Sequence, residues 1–322
     1  MAIIRAPSSE EGFYELYSPA MKWAVRRARL QHAIRESFQR YVGVPVEELW
    51  FHRWWTGATG GGALERLGLP RRSVESCLGE ALTLHVDPRR LLYSVRLPRG
   101  AGGSALASSA FIWDGDWDLY RGDLRTGSRY RFISELDDYR HDLRATERFQ
   151  RLKAHLNEGR PWSSHQQGIL LDSEKKILAY LQLYLDFLDG MARTGFDTRL
   201  GKDKPGVAIS RTGRIVKINR GLHRLAMAQR IGLPLIPVQV RAVHRQWWND
   251  VTGGSVGHTA LAKLLAALPD CETEREPGPF VHSLPQPLTS QPWPEPRVLA
   301  SPLTRDCPTA EPAGRSPRAG EH

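Results

Sequence analysis

The segment that most narrows what this chain can fold into is residues 206–240, GVAISRTGRIVKINRGLHRLAMAQRIGLPLIPVQV. Val207 to Ser210 is a short apolar run and Arg214 to Ile218 is a second. Between them Arg211-Thr212-Gly213 supplies a tight turn, with Gly213 able to take positive φ. The pattern predicts two strands, the second with Val216 and Ile218 on one face. A helix is expected to open near Gly221, because Leu225, Ala228 and Ile231 recur at helical spacing. Gly232 is its natural stop, and Leu235 to Val240 reads as a further strand. A helix that starts where a strand ends aims free N–H groups and the positive end of its dipole at the junction, which favours an anion. His223 and Arg224 fall in that first turn. An arginine there can fork onto phosphate or carboxylate oxygens, and a histidine can donate or accept a proton.

Composition bounds the partners without choosing one. The chain has 322 residues, a formal net charge of +10 and a pI of about 9.8. That balance admits nucleic acid, an anionic membrane or phosphorylated ligands. Hydrophobic residues at 41% and charged residues at 25% are ordinary for a soluble globular protein. No run of eighteen apolar residues occurs, and the opening MAIIRAPSSEEGFYE has neither a long apolar core nor a cleavage pattern. A cytoplasmic protein is therefore expected. Cys77, Cys271 and Cys307 are too scattered for a disulfide framework or a zinc site.

The chain divides into three parts. Residues 1–80 form an N-terminal region with a basic amphipathic helix over 21–42. Trp23, Leu30, Ile34, Phe38 and Tyr41 fall along one stripe, with Arg26, Arg27, Arg29, Arg35 and Arg40 mostly off it. The stripe is expected to be buried on the main domain; the alternative is contact with an anionic membrane or nucleic acid. Gly60-Gly61-Gly62 lacks the ending of a phosphate loop and is expected to be a flexible loop. Residues 81–250 form the main domain. It opens with a strand, a turn at Asp87-Pro88 and a second apolar run. Helices follow over 144–161 and 172–195, the latter with Ile177, Leu181, Leu185 and Leu188 as its buried stripe. A polar linker over 192–206 carries Arg199, Lys202 and Lys204 as a candidate basic loop. Residues 251–322 hold a short helix (259–268) and then a proline-rich tail from 270, which is expected to be disordered.

A second constellation is WDGDWDLY, residues 113–120. Alternation in a strand would put Asp114, Asp116 and Asp118 on one face, opposite Trp113 and Trp117. Asp116 and Asp118 would then hold Mg2+ for a nucleotide, or one would act as a general base. The plainer reading is a turn at Asp114-Gly115 with Trp117 in the core. His244, after the last strand, either assists proton transfer or is a satisfied structural residue.

GRIVKIN followed by RGLHRLAMAQRIGLPLIPVQV resembles the glycine-x-His-Arg segment of the ParB/sulfiredoxin-like superfamily, whose members include CTP-binding partitioning proteins, ATP-using sulfiredoxin and a free-serine kinase. The opening HVDPRRLL and the later RAVHRQWW are similar to other members. The resemblance implies a mixed α/β domain of that type over 81–250. It also implies that Gly221, His223 and Arg224 contact the phosphates of a nucleoside triphosphate, ATP or CTP, with Mg2+; Arg220, an extra cation beside them, is a further candidate contact. Leu222 stands where sulfiredoxin has its catalytic cysteine, which excludes that chemistry. Arg220 stands where many relatives have an acidic residue. The implied function is nucleotide or phosphate binding, with NTP hydrolysis or phosphoryl transfer to a hydroxyl as the reaction; Asp116, Asp118 and His223 are its catalytic candidates. The alternatives are a DNA-binding clamp or nuclease, against which no helix-turn-helix follows the domain, and a non-catalytic membrane-surface module serving surface-glycan assembly.

Overall fold

A computed structural model of the chain describes residues 16–96, 109–164, 168–200, 204–218, 220–275 and Trp293. Its helices are α1 (Lys22–Phe38), α2 (Val44–Trp55), α3 (Gly61–Arg66), α4 (Arg71–Leu78), α5 (Ser128–Asp138), α6 (Glu147–Asn157), α7 (Glu174–Thr194), α8 (Leu222–Ile231), α9 (Arg245–Thr252) and α10 (Gly257–Ala267). Its strands are β1 (Thr83–Val86), β2 (Tyr93–Val95), β3 (Ile112–Trp113), β4 (Arg121–Asp123), β5 (Ser163–Ser164), β6 (Ile169–Leu170), β7 (Gly206–Ile209), β8 (Arg214–Lys217), β9 (Ile236–His244) and β10 (Glu272–Thr273). The class is mixed α/β, as the strand and helix patterns require.

The 206–240 segment builds the middle of the main sheet, whose order is β1-β9-β7-β8-β2-β4. β7 and β8 form the expected antiparallel hairpin, Val207 opposite Lys217 and Ile209 opposite Ile215. Gly213 turns it at φ 76. β9 lies parallel to β7 on its other side and runs to His244, further than the apolar run alone suggests, because β3 pairs with its last residues. Leu225, Ala228 and Ile231 of α8 are buried, and Gly232 ends the helix in the left-handed region. In α7 the Ser173 hydroxyl accepts from the Lys176 N–H, and Ile177, Leu181, Leu185 and Leu188 are buried. The Thr146 hydroxyl caps α6 in the same way.

Phe51, Trp54, Leu69 and Val74 of the N-terminal region share one core with the sheet and with α7 and α8. The Trp54 and Trp248 indoles both donate to the Glu65 carboxylate, at 2.8 and 3.0 Å. The triple glycine is not a loop: it starts α3, and a Cβ on Gly61 would lie 2.8 Å from the Trp54 Cα. Close packing of α3 on α2 thus requires glycine there. The stripe of α1 is not buried. Trp23 and Tyr41 are 76% and 74% exposed, and Leu30, Ile34 and Phe38 are each 62% exposed. Met21 and Val25, at the start of the helix and off that stripe, are what is buried.

The tail departs from expectation at its start. Residues 276–292 and 294–322, and the small-residue loop 97–108, lie outside the described residues. Residues 270–275, expected to be disordered, are not: β10 pairs in parallel with β8, and Glu274 forms a buried two-pronged ion pair with Arg121, at 2.7 and 2.9 Å. Trp293 packs edge-on against Tyr130 and donates its indole N–H to the Arg89 carbonyl. The partners of this pair are 153 residues apart, so local composition does not reveal it. Glu274→Ala leaves the Arg121 guanidinium buried without its carboxylate and should cost about 3–5 kcal/mol in urea denaturation. Glu272→Ala, on the exposed side of the same strand, should cost about 0.5 kcal/mol or less. Equal small effects would show that the sheet does not need β10.

Candidate anion-binding site at the amino end of α8

The candidate residues separate into two groups at opposite ends of the sheet. Gly221 sits beside Pro205, where β7 begins; a Cβ on it would lie 3.0 Å from the Pro205 Cα. Arg211, with Asp116 and Asp118 bonded to it, sits at the β7–β8 turn. Six residue steps of largely extended chain separate Pro205 from Arg211, roughly 20 Å. Asp116 and Asp118 therefore do not join His223 and Arg224 in one site.

The carboxylate end is internally satisfied. Residues 113–120 do not form the expected strand: β3 ends at Trp113, Gly115 turns the chain at φ 82, and Trp117–Leu119 is a short 3-10 helix. Trp113 and Trp117 are both buried, edge to face, so alternation fails and the turn reading holds. Asp114 and Asp116 are exposed and Asp118 is buried. Asp118 accepts from the Arg211 backbone N–H at 2.8 Å, Nε at 3.0 Å and Nη2 at 2.7 Å. Arg211 also reaches Asp116 at 2.9 Å, and Arg245 holds Asp114 at 2.8 Å. Burial works to raise the Asp118 carboxyl, but the bonds from the Arg211 side chain and backbone outweigh it and hold it below the ordinary range. The guanidinium lies where a divalent ion would have to sit, so these residues do not fit Mg2+. No group of three His, Cys, Asp or Glu is placed to hold a metal among the described residues. His244 caps α9: its Nδ1 accepts from the Gln246 N–H at 3.0 Å, so its Nε2 carries the hydrogen that goes to the Gly115 carbonyl at 2.9 Å. That bonding makes His244 structural.

The other end is different. Gly221 stands before α8 at φ 69, and no side chain caps the helix. Among the described residues no acceptor meets the N–H groups of Leu222 and His223. His223 lies against the rings of Tyr184 (5.4 Å) and Phe132 (6.4 Å), which also meet each other (5.1 Å). Burial, reinforced by the Arg129 and Arg148 guanidinium groups, pushes its imidazole down to about 4. It is neutral at pH 7 and acts as a hydrogen-bonding group rather than a cation. Burial pushes the Tyr184 hydroxyl well up, so it stays protonated, 3.4 Å from the Tyr180 hydroxyl.

Arg224 points elsewhere. It is buried, donates to the Asp197 carbonyl and lies 4.1 Å from the centre of the Phe196 ring. It ties the 195–200 strap to α8 and does not fork onto the helix end. Arg220 is exposed, and its side chain leaves on the Gly206 side, where Arg71 and Arg241 share Glu75. The basic loop is paired with acids: Arg199 with Asp197 and Lys204 with Glu80; Lys202 lies outside the described residues.

Sequence reasoning missed three cations. Arg129 opens α5 and Arg148 opens α6. Neither has a carboxylate partner among the described residues, and the Arg148 Nε is buried without a hydrogen bond while its guanidinium lies 5.7 Å from the Phe132 ring. The Glu135 carboxylate accepts from the backbone N–H groups of Glu147 and Arg148. α5, like α8, begins without a side-chain cap. Lys217 is the third: wholly buried, it donates to the carbonyls of Gly206, Ile218 and Arg220, and burial with the nearby Arg241 pushes its ammonium down to about 7. Two arginines each placed second in a helix are a legible signal, but only once the helix starts are known.

No family model matches the chain, and neither curated proteins nor solved structures give a match.

The His223 shift has a consequence for stability. Between pH 6.5 and about 4 the unfolded chain takes up a proton that the folded imidazole refuses, so stability should fall as pH falls through that window. NMR titration should place the His223 midpoint near 4, and His223→Gln should flatten the stability slope there. A midpoint near 6.5 would mean that the imidazole is not enclosed as described.

Proposed function

We propose that the protein binds a phosphorylated small molecule, a nucleoside triphosphate such as ATP or CTP in the first place, with a phosphate at the amino end of α8. The observation that carries this reading is the uncapped helix end itself: among the described residues the N–H groups of Leu222 and His223 meet no acceptor, and Arg129 and Arg148 beside His223 have no carboxylate partner. Backbone N–H groups and a helix dipole favour an anion, and guanidinium groups bind phosphate oxygens in pairs. The resemblance of residues 206–248 to ParB/sulfiredoxin-like domains supports a nucleotide. Phe132 and Tyr184 offer flat apolar surface beside the phosphate position.

The reading is binding rather than turnover. Phosphoryl transfer or hydrolysis needs a base at the phosphate, and Asp116 and Asp118 stand at the far end of the sheet under Arg211. A histidine with a pKa near 4 is a weak base at neutral pH. Mg2+ has no place on those aspartates in this reading. The DNA-binding alternative gains no support from α9 and α10. They do form a helical pair, but Lys263 is the only cation on α10, and it is tied to the Thr252 carbonyl and the Ser255 hydroxyl.

Calorimetric titration with ATP, CTP and pyrophosphate, each with and without Mg2+, tests the proposal. Wild type should bind at least one of them. Arg148→Gln should weaken binding by about 1.5–3 kcal/mol, roughly ten- to a hundredfold, as expected for a lost charge-assisted hydrogen bond. Bound phosphate should also raise the His223 midpoint, because a neighbouring anion favours imidazolium. No binding at millimolar concentration, or equal binding by Arg148→Gln and Arg129→Gln, would overturn it.

A further inference from the structure

We propose that the outer face of α1 docks on an anionic lipid bilayer, lying in the plane of the surface. The face is a continuous apolar line in water. Trp23, Leu30 and Ile34 follow one another at seven and four residues, Phe38 continues the line, and the π-helical turn Gln39–Gly43 carries it on to Tyr41. All five side chains are more than 60% exposed. From Trp23 to Tyr41 the line runs about 27 Å at helical rise. The helix is held to the body elsewhere: Met21 and Val25 are buried at its start, and Arg72 donates to the Gln39 side chain at 2.7 Å beyond its end. The stripe is therefore left outward by a fixed helix.

Charge decides what covers it. Lys22, Arg26, Arg27, Arg29, Arg35 and Arg40 lie on the same stretch, and Glu36 is its only carboxylate. Arg26 stands 5.7 Å from the Trp23 ring, so a cation sits at the level of the indole. A second copy of the chain laid face to face would set these cations against one another. Nucleic acid would take the cations and leave the apolar line wet. A surface with an apolar interior and anionic headgroups satisfies both, with the arginine stems lying along the boundary.

Co-sedimentation of the full chain with vesicles tests this. Vesicles of equal parts phosphatidylglycerol and phosphatidylcholine should retain the protein, and phosphatidylcholine alone should not. Added salt should weaken binding. R26Q/R27Q should weaken it about thirtyfold, on the scale of one juxtamembrane cation's contribution applied twice. L30D/I34D should reduce it at least tenfold, with unchanged circular dichroism and thermal midpoint, since both sites are exposed. Failure of wild type to sediment with anionic vesicles overturns the proposal. So does equal retention of L30D/I34D, which marks nonspecific adsorption of a basic protein. A wild-type dimer that L30D/I34D converts to a monomer assigns the face to a second copy, and binding to an acidic protein without vesicle binding assigns it to a protein groove; either result overturns the bilayer.

Discussion

Lys217 sends its ammonium under the open end of the β7–β8 hairpin, where the carbonyls of Gly206, Ile218 and Arg220 accept from it. An ammonium buried alone would cost several kcal/mol, so these acceptors are a condition of the fold and not an addition to it. The bonds also fix the path of the chain. They draw Ile218 and Arg220 back over the start of β7, so that Gly221 arrives close against Pro205 with positive φ. α8 can then begin immediately, and among the described residues the N–H groups of Leu222 and His223 meet no acceptor. The direction of α8, and with it the position of His223, follows from a cation in the sheet.

The two ends of the sheet treat charge in opposite ways. At the β7–β8 turn, Arg211 holds Asp116 and Asp118, and Arg121 joins the Asp118 carbonyl to Glu274. Cation and carboxylate are matched there, and Trp113, Trp117 and His244 close the space around them. Such a network holds β10 and the 113–120 turn in place, and any ligand would have to break it. At the amino end of α8, among the described residues, Arg129 and Arg148 have no carboxylate partner, while Glu135 is committed to the start of α6 and Asp197 to Arg199. Clustered cations without counter-ions repel, and an anion from solution relieves that repulsion. On the proposed reading, this contrast, more than the presence of a histidine or a glycine, is what separates the anion site from the structural end of the sheet.

What the sequence showed was set by the range of the interactions. The hairpin, α6, α7 and α8 were legible because alternation, helical spacing and caps such as Ser173 act within a few residues. α5 is as legible, since Tyr130, Ile133 and Leu136 recur at helical spacing. The aspartates were misread because alternation counts only in a strand, and the chain leaves the sheet after Trp113. Their true partner, Arg211, is 93 residues from Asp118. The α1 stripe was misread for another reason. A buried and an exposed amphipathic face have the same periodicity, and only the position of the rest of the protein tells them apart.

The Gly-x-His-Arg spacing puts two residues of opposite surroundings side by side. Successive helical residues project about 100° apart, so His223 and Arg224 share a turn but not a direction. His223 faces α5 and α7, towards Phe132 and Tyr184, and Arg224 faces the 195–200 strap, where Phe196 and the Asp197 carbonyl occupy it. A phosphate reaching Arg224 would have to displace that carbonyl and lose the ring contact. On the proposed reading, a phosphate at the helix end would meet His223 and the backbone directly and draw its charge neutralisation from Arg129 and Arg148 on neighbouring helices. The cation that the motif supplies serves the architecture, and the cations that the proposal assigns to the ligand come from parts of the chain that carry no motif.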